Sequence, residues 1–364
     1  MANAVIIADL GQPLLGALIQ QNTKSMDISI TANDIRSTNR RHEDGIPNQS
    51  LTSQIIKMMK ESKETNTQIQ SKVLSIIVTH NPEIEKLREL MTQLQKKSYS
   101  AIIIDNNSKN ILEIEETKGK FYLIKNESNH GLAAAQNLGI FFAKKKGFDY
   151  VFLLDQDSLF IGNTLYQLYS EMIQLREHFG NVAALGPLHA PDKKGEIFFP
   201  HISISKAGIP KKIIPKRNTK PAEVSSIISS GSLVPTEIFD KIGLMREDLF
   251  IDLIDTEWCL RATYKGYRIY SSTCAVLAHE IGQKTISFFG FCVPLHTPDR
   301  RYYKAKNSVI LFSIKHIPKL LAIRILLSCA VHHAYFILNE GQKLEYLQQG
   351  TRGFLDGIKI LLKD

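Results

Sequence analysis

The chain has 364 residues, of which 43% are hydrophobic and 22% charged, and its formal net charge is +9. This is an ordinary globular composition with enough apolar material for a large core. The basic surplus favours acidic partners such as phosphorylated small molecules or anionic lipid surfaces. No zinc-finger spacing or aromatic-glycine RNA motif is present, so we expect no nucleic-acid partner.

The four cysteines form no CxxC pair, which is typical of reduced thiols in a cytosolic protein rather than of a disulfide framework. The first residues lack the pattern of a secretory signal, and no segment is an uninterrupted membrane span. We therefore expect a cytoplasmic protein.

Residues 1–72 are rich in polar residues and predict a poorly defined N-terminal extension with one helix after Leu51. From Val73 the chain changes to β-branched runs. Strands are predicted at VLSIIVT, AIIID, FYLI and VFLL, and helices at IEKLRELMTQLQ and LAAAQNLGIFFAKKKG. Asn81 and Pro82 are predicted to begin the first of these helices. This order predicts an α/β fold with a mostly parallel central sheet.

The later elements are less regular. We predict a helix over 164–178, a strand at VAALG, a basic hairpin within 188–224 and a short helix capped by Thr236. Another helix follows FIDLID, and two late strands, RIYSS and AVLA, lead to His279. Residues 286–364 are predicted to form a helical C-terminal segment.

Three polar residues, Thr79, Asp105 and Asp155, end predicted strands, where α/β sheets bind their ligands. Asp157 follows Asp155 in the motif LLDQDS. Two carboxylates at this spacing suit Mg²⁺ or Mn²⁺ held together with substrate phosphates. The alternative is that Asp155 only ends the strand and Asp157 caps the next helix.

Other candidates also have structural alternatives. No GxxxxGK[ST] or GxGxxG phosphate cradle follows the first strand, so a nucleotide would be held by carboxylates, amides and metal. Asp255 could be a general base or the cap of its helix. His279 could be a metal ligand or a structural histidine.

The order of the motifs along the chain favours the functional interpretation of these residues over the structural one. SIIVTHN, IIIDNNS, NHGLAAAQNLGI, LLDQDS, SSGSLV, FIDLIDTEWCLR and AHEIG together resemble the family 2 glycosyltransferases of GT-A fold, over about residues 73–285. Within that family, DQDS, DTEWCLR and HTPDRRYYKAKN are similar to the bacterial dTDP-rhamnosyltransferases of O-antigen and surface polysaccharide assembly.

The resemblance implies a role for each matching residue. Asp255 would be the catalytic base, and Asp155, Asp157 and His279 would hold a Mg²⁺ or Mn²⁺ ion, with Asp155 also near the ribose. The residues implied to bind the nucleotide sugar are Thr79, Asp105, Asn107, Asn129, Gly131, Asn137, Asp155, Gly231, Arg300 and Tyr303.

Two positions depart from the family pattern. The usual Glu-Asp pair is Ile254-Asp255 here, so Asp252 or Glu257 would have to compensate. The usual Arg-Asn is Lys306-Asn307, which weakens any bidentate contact at that point.

The C-terminal segment 286–364 holds the apolar stretch 320–338, which a polar stripe interrupts every four residues. We expect this helix either to lie on an anionic cytoplasmic membrane surface or to pack on the domain or a dimer partner.

These observations lead to one function and its alternatives. We expect an inverting transferase that moves L-rhamnose from dTDP-rhamnose to a lipid-linked oligosaccharide. The alternatives are another donor, such as a UDP-hexose or galactofuranose, or a non-catalytic nucleotide-binding or membrane-scaffold subunit.

Overall fold

The computed structural model describes most of the chain beyond residue 48. The described residues are 49–119, 121–195, 198–205, 207–214, 216–278, 285–288, 291–294, 297–339 and 342–363. The extension predicted over 1–72 is therefore described only from Gln49, and the predicted metal ligand His279 lies outside the described residues.

The described strands all belong to one compact unit, Thr65–Asp364. They are β1 Val73–Thr79, β2 Ser100–Asp105, β3 Tyr122–Lys125, β4 Tyr150–Asp155, β5 Leu159–Ile161, β6 Val182–Ala190, β7 His201–Ile204, β8 Pro210–Ile213, β9 Ala222–Val224, β10 Leu233–Pro235, β11 Arg268–Ala278, β12 Thr285–Phe288 and β13 Phe291–Pro294.

The helices alternate with the strands at first and then follow one another at the C-terminal end. They are α1 Gln49–Lys72, α2 Ile84–Lys96, α3 Ile111–Lys118, α4 Gly131–Lys146, α5 Thr164–Phe179, α6 Ile238–Ile242, α7 Ile254–Tyr264, α8 Pro298–Ile310, α9 Lys319–Asn339 and α10 Lys343–Leu361.

The central sheet has the strand order β3-β2-β1-β4-β10-β6-β11-β5, with β9 also paired to β11. The first four strands of this order are mutually parallel, and β10 runs antiparallel to both of its neighbours. The predicted α/β fold with a helical C-terminal segment is confirmed. The sequence pattern missed α3 and β5, which are short elements with a weak periodic signal.

Both faces of the sheet are covered, which explains why β1 is apolar throughout. Its residues alternate between two cores, because successive strand side chains point to opposite faces. Leu74 and Ile76 face the layer of α4, α6 and α7, whereas Val73 and Ile77 face the layer of α2 and α5. Parallel strands buried on both sides expose their functional groups only at their ends.

Two predicted helix starts were wrong. Helix α2 begins at Ile84, and Asn81 instead adopts a φ of 48° while its side-chain oxygen accepts the N–H of Lys109 at 2.8 Å. Thr236 does not cap α6, because its hydroxyl donates to the carbonyl of Phe148 at 2.9 Å. In both cases a contact distant in sequence takes the polar side chain.

The late strands RIYSS and AVLA form one strand, β11, with a register shift between Ser271 and Val276. The predicted basic hairpin is confirmed as β7 paired with β8. Helix α9 is long and apolar enough to cross a membrane by length and composition, and 28% of its most apolar window is buried inside the protein.

Candidate active site

The carboxyl ends of β1 and β2 form the first part of the site. Thr79 and Asp105 are register partners in adjacent parallel strands and are almost fully buried. The Thr79 hydroxyl donates to Asp105 Oδ1 at 2.8 Å, and the Ser108 N–H donates to Oδ2 at 3.0 Å. The Ser108 hydroxyl also donates to Oδ1. Asp105 is therefore held in one orientation by the groups around it, and Thr79 acts by fixing this carboxylate.

Gly131, at the start of α4, packs against Phe250. It has a φ of 87°, and a Cβ there would lie 2.6 Å from the ring of Phe250. Only glycine allows this approach without strain. The Phe250 carbonyl accepts the N–H of Leu132 at 2.7 Å, so the α4 N-terminus is closed by protein. Asn129 contributes locally, because its side-chain oxygen accepts the N–H of Gly131 at 2.9 Å.

The DQDS turn leaves the carboxyl end of β4, which pairs with β1 so that Asp155 is the register partner of Val78. Asp155 and Asp157 are half-buried. Gln156 accepts the N–H of His80 at 2.8 Å and so ties the turn to the end of β1. Ser158 is fully buried, and its hydroxyl accepts the N–H of Asp155 at 3.2 Å.

The loop 229–232 joins this turn to the neighbouring strand. The hydroxyls of Ser158 and Ser230 lie 2.7 Å apart, and the Gly231 N–H donates to the Leu153 carbonyl at 2.6 Å. Gly231 has a φ of 79°, and a Cβ there would lie 2.6 Å from Pro187. The contact between Ser230 and the DQDS turn could not be predicted from the sequence, because the two segments are 72 residues apart.

Asp255 lies in the first turn of α7, within reach of the other acidic groups. The pKa of Asp255 is raised to about 6, chiefly by burial and also by the carboxylates of Asp252 and Asp155, while the backbone N–H groups of Thr256 and Ser229 oppose this rise. The chain thus brings Asp155, Asp252, Asp255 and the loop at Ser229 to one place. Such a carboxyl can take up a proton close to neutral pH, as a general base must.

The segment before Asp255 has a strained backbone. Phe250, Asp252 and Leu253 all have φ values of 63–65°, a region that non-glycine residues seldom adopt. Asn307 of α8 is fully buried, and its side-chain amide reaches the carbonyls of Leu249, Ile251 and Asp252 at 2.7, 2.8 and 3.1 Å. Helix α8 therefore holds the strained segment in place.

Arg300 and Tyr303 of α8 contact the same segment. The Arg300 guanidinium forms a bidentate pair with Asp252 at 2.9 and 3.0 Å. Burial alone would lower the Arg300 pKa, but the carboxylates of Asp252, Asp155 and Asp255 outweigh burial and raise it. Tyr303 stacks on Phe250 with ring centroids 4.1 Å apart.

Two of the residues predicted to bind the nucleotide sugar, Asn137 and Asn107, are not among the residues described above. The Asn137 amide donates to the Met245 carbonyl at 2.9 Å and to Glu247 at 2.8 Å, so it connects α4 to the loop before Phe250. Asn107 is exposed in a turn with a φ of 60°.

The acidic neighbour missing before Asp255 is not replaced by Glu257. Glu257 is fully buried and is paired with Arg261 at 2.9 Å and with His316 at 2.8 Å. Ile254 lies in the hydrophobic core. Asp252 is thus the carboxylate that accompanies Asp255.

The metal prediction can be tested against the donor groups present. No group of three His, Cys, Asp or Glu side chains that could hold an ion occurs among the described residues. The carboxylates of Asp155 and Asp157 supply the hard oxygen ligands that Mg²⁺ and Mn²⁺ prefer, and such ions commonly take their remaining ligands from water and substrate phosphates. The acidic side chains present therefore fit a divalent ion that binds together with a phosphorylated substrate.

The sequence of the chain is similar to those of known proteins. The family model for glycosyl transferase family 2 matches residues 75–243. The dTDP-rhamnosyl transferase RfbF of Shigella flexneri is 33% identical over 294 residues, which is 79% of this chain and 96% of that protein. The structure of S. aureus TarS in complex with UDP-GlcNAc is 16% identical, covers 79% of this chain and 81% of its own, and has a TM-score of 0.46.

A further solved structure is glucosyl-3-phosphoglycerate synthase from Mycobacterium tuberculosis, which is 11% identical over 70% of this chain and 83% of its own, with a TM-score of 0.41. The α/β sheet gathers carboxylates at its strand ends. The chain belongs to glycosyltransferase family 2 and is a glycosyltransferase.

Proposed function

We propose that this glycosyltransferase moves L-rhamnose from dTDP-rhamnose to a hydroxyl of a lipid-linked oligosaccharide in surface polysaccharide assembly. The choice of donor is supported by the 33% identity to dTDP-rhamnosyl transferase RfbF over 96% of that protein. The observation that carries the chemistry is the position of Asp255 beside Asp155, which brings a base to the strand end where a metal-bound diphosphate would lie.

Asp255 acts as the base of an inverting transfer. Its carboxylate takes the proton of the acceptor hydroxyl as the oxygen attacks the anomeric carbon, and the bond from that carbon to the diphosphate breaks on the opposite face. No covalent intermediate with the enzyme is required. The pKa of about 6 leaves Asp255 mostly ionised at neutral pH and still basic enough to accept a proton.

The other residues hold the donor. Asp105, fixed by Thr79 and Ser108, accepts the imide N–H of the pyrimidine base. Thymine and uracil share this group, so Asp105 selects the class of base and not between dTDP and UDP. Asp155 and Asp157 would hold Mg²⁺ or Mn²⁺, which neutralises the charge that develops on the leaving diphosphate.

The C-terminal segment suits a lipid-linked acceptor. Large apolar side chains stay exposed on α9 and α10, including Leu327 at 61% and Leu338 at 70%. Exposed basic residues such as Arg324 and Arg352 lie on the same helices. We propose that the enzyme binds peripherally to the cytoplasmic face of the membrane through this segment.

A donor screen with the purified full-length protein tests the proposal. Release of nucleoside diphosphate from dTDP-rhamnose, UDP-glucose, UDP-GlcNAc and UDP-galactofuranose is measured with Mn²⁺ or Mg²⁺ in the presence of an acceptor extract. We expect the highest turnover with dTDP-rhamnose and its loss in EDTA. Turnover with UDP-sugars alone contradicts the rhamnosyl donor, and full activity in EDTA contradicts the metal.

A further inference from the structure

Three of the cationic residues of helix α8, Arg300, Arg301 and Lys304, lie within two turns of the helix. All three lie close enough to interact electrostatically with Asp252, which pairs bidentately with Arg300, although burial lowers the pKa values of Arg301 and Lys304 overall. Arg300 also interacts with the carboxylates of Asp155 and Asp255. Asp252 is the carboxylate that acts on both Arg301 and Lys304, and it is already paired with Arg300. Positive charge therefore exceeds negative charge around Arg301 and Lys304.

Arg301 shows this excess most clearly. It is 1% exposed, yet its described contacts are with the carbonyl of Cys329 at 3.0 Å, the thiol of the same residue at 3.7 Å and the ring of Phe336 at 5.1 Å. Its Nε is buried without a hydrogen-bond partner. A buried guanidinium normally lies against a carboxylate or phosphate, because an uncompensated buried charge is costly.

Lys304 and His332 lie close to Arg301 and are half-buried. Burial lowers the Lys304 pKa, as does its closeness to Arg301 and Arg300. Burial lowers the His332 pKa too, and Lys304 and Arg301 lower it further, so His332 is neutral at pH 7 and can donate one N–H. We name the group of Arg300, Arg301, Lys304 and His332 the cationic ledge.

The ledge connects two different surfaces. At one end Arg300 reaches the acidic residues of the active site. At the other end His332 belongs to α9, where Leu327 and Val331 on the neighbouring rows are 61% and 53% exposed. A ligand that has both an anionic group and an apolar chain would place the anion on the cationic ledge and the chain along α9.

We propose that the cationic ledge binds the phosphate group of a prenyl-phosphate type of acceptor, whose apolar chain lies on α9. This inference rests on the proposed function, because it names the part of the acceptor that the enzyme recognises. It explains why a fully buried arginine persists without a full set of partners: the acceptor phosphate supplies the missing counter-charge, and Lys304 and His332 donate to it. The donor diphosphate instead lies with Asp155 and Asp157.

Calorimetric titration of the full-length protein with farnesyl diphosphate, a soluble prenyl diphosphate, tests the proposal. We expect saturable binding by the wild type and about a tenfold weaker affinity in Lys304→Gln, because one charge-assisted contact is lost. Lys304→Arg should keep the affinity within about threefold, since the charge remains. Lys359→Gln, which removes an exposed lysine of α10, is the matched control and should bind like the wild type.

Parallel titrations separate the possible ligands. The affinity for dTDP should change less than about twofold in Lys304→Gln, and farnesol should bind more weakly than farnesyl diphosphate by about tenfold. An equal loss for dTDP assigns the ledge to the donor and overturns the proposal. Equal affinities for farnesol and farnesyl diphosphate overturn it as well.

Membrane phosphate is the other source of this chemistry. Sedimentation with phosphatidylglycerol vesicles should fall only slightly in Lys304→Gln. A large fall with unchanged farnesyl diphosphate binding shows that the ledge binds lipid headgroups and overturns the acceptor assignment. If the donor screen fails while Lys304→Gln still weakens farnesyl diphosphate, the proposed donor is wrong and the ledge stands.

Discussion

The two sides of the candidate active site are built in different ways. On the side proposed to bind the nucleotide, called the nucleotide side, Asp105 ends a buried strand, and it is fixed by Thr79 of the adjacent strand and by Ser108 three residues later. On the base side, Asp255 follows a segment with three strained residues and depends on α8, about fifty residues further along the chain.

This difference has a physical cause. A strand end gives a side chain a fixed position at no conformational cost, because sheet pairing already sets the backbone. A left-handed conformation at a non-glycine residue costs about 1 kcal/mol or more and persists only where other contacts compensate. The base side therefore stores strain that α8 offsets, whereas the nucleotide side does not.

The largest effect should come from the base itself. Asp255→Asn should lower kcat by about a thousandfold or more, because removal of a general base typically costs two to four orders of magnitude. Donor affinity, measured by titration with dTDP, should stay near the wild-type value. Asp240→Asn, at an exposed ion pair with Lys144, is the control and should keep full turnover.

The same variant should be more stable than the wild type. The folded pKa of Asp255, about 6, lies above its ordinary value of 3.8, so the carboxylate destabilises the folded state as pH rises through this range. At pH 7.5 the carboxylate of Asp255 destabilises the folded state to its full extent, and Asp255→Asn should raise the free energy of unfolding by up to about 3 kcal/mol. The melting temperature at pH 7.5 should rise, and the difference should vanish below about pH 4. A lower melting temperature at pH 7.5 would contradict the burial of this charge.

The second effect tests the dependence on α8. Asn307→Ala removes the amide that reaches three carbonyls, and we expect it to lower the free energy of unfolding by about 2–3 kcal/mol. Release of the strained segment should also lower kcat by about thirtyfold through misplacement of Asp255, with donor affinity nearly unchanged.

Asn339→Ala provides the matched control for Asn307→Ala, since it removes a single exposed bond to Tyr335 in α9. It should leave stability and kcat close to wild type. If Asn307→Ala weakened donor affinity as much as kcat, the two sides of the site would not be separable and the comparison would fail.

The nucleotide side was the more predictable of the two. Thr79, Asp105 and Asp155 end apolar runs, and a parallel sheet brings such ends together whatever the details of packing. Ser108 could have been noticed as well, because a serine three residues after a strand-end aspartate often hydrogen-bonds back to it. The α/β alternation was equally clear from the buried runs.

The base side could be predicted only as a list of residues. The pattern FIDLIDTEWCLR indicates Asp255, but it does not show that Glu257 turns to Arg261 and His316 or that Asp252 pairs with Arg300. These pairings depend on how α7 and α8 pack, which no local periodicity encodes. Asn81 and Thr236 were misjudged for the same reason: each is taken by a distant contact instead of capping a helix.

The third effect concerns the nucleotide side alone. Ser108→Ala removes the hydroxyl bond that helps to hold Asp105 and should raise the KM for the donor by about fivefold, with kcat changed by less than about twofold. Only the hydroxyl bond is lost outright, because the backbone N–H remains, so the effect is modest. Ser71→Ala, at an exposed serine of α1, should leave both constants unchanged. A fall in kcat without a change in KM would move Asp105 to the base side.

The smallest effect should appear in the pH profile. Because Asp255 must be ionised to accept a proton, kcat/KM should rise with pH through about pH 6 and then level off. Asp252 raises the Asp255 pKa and also forms an ion pair with Arg300. Asp252→Asn removes a negative neighbour and frees a positive one, and both changes lower the Asp255 pKa, so the acid limb should move down by about half a pH unit or more.

Asp248→Asn is the control for this shift, because Asp248 also pairs with an arginine, Arg246, two residues earlier in the chain. It lies outside the group of charges that act on Asp255, so its acid limb should match that of the wild type. An acid limb that stays in place in Asp252→Asn would mean that burial alone sets the Asp255 pKa. In that case the Arg300 and Asp252 pair would serve only to hold the strained segment, and the base side would depend on α8 for its shape and not for its charge.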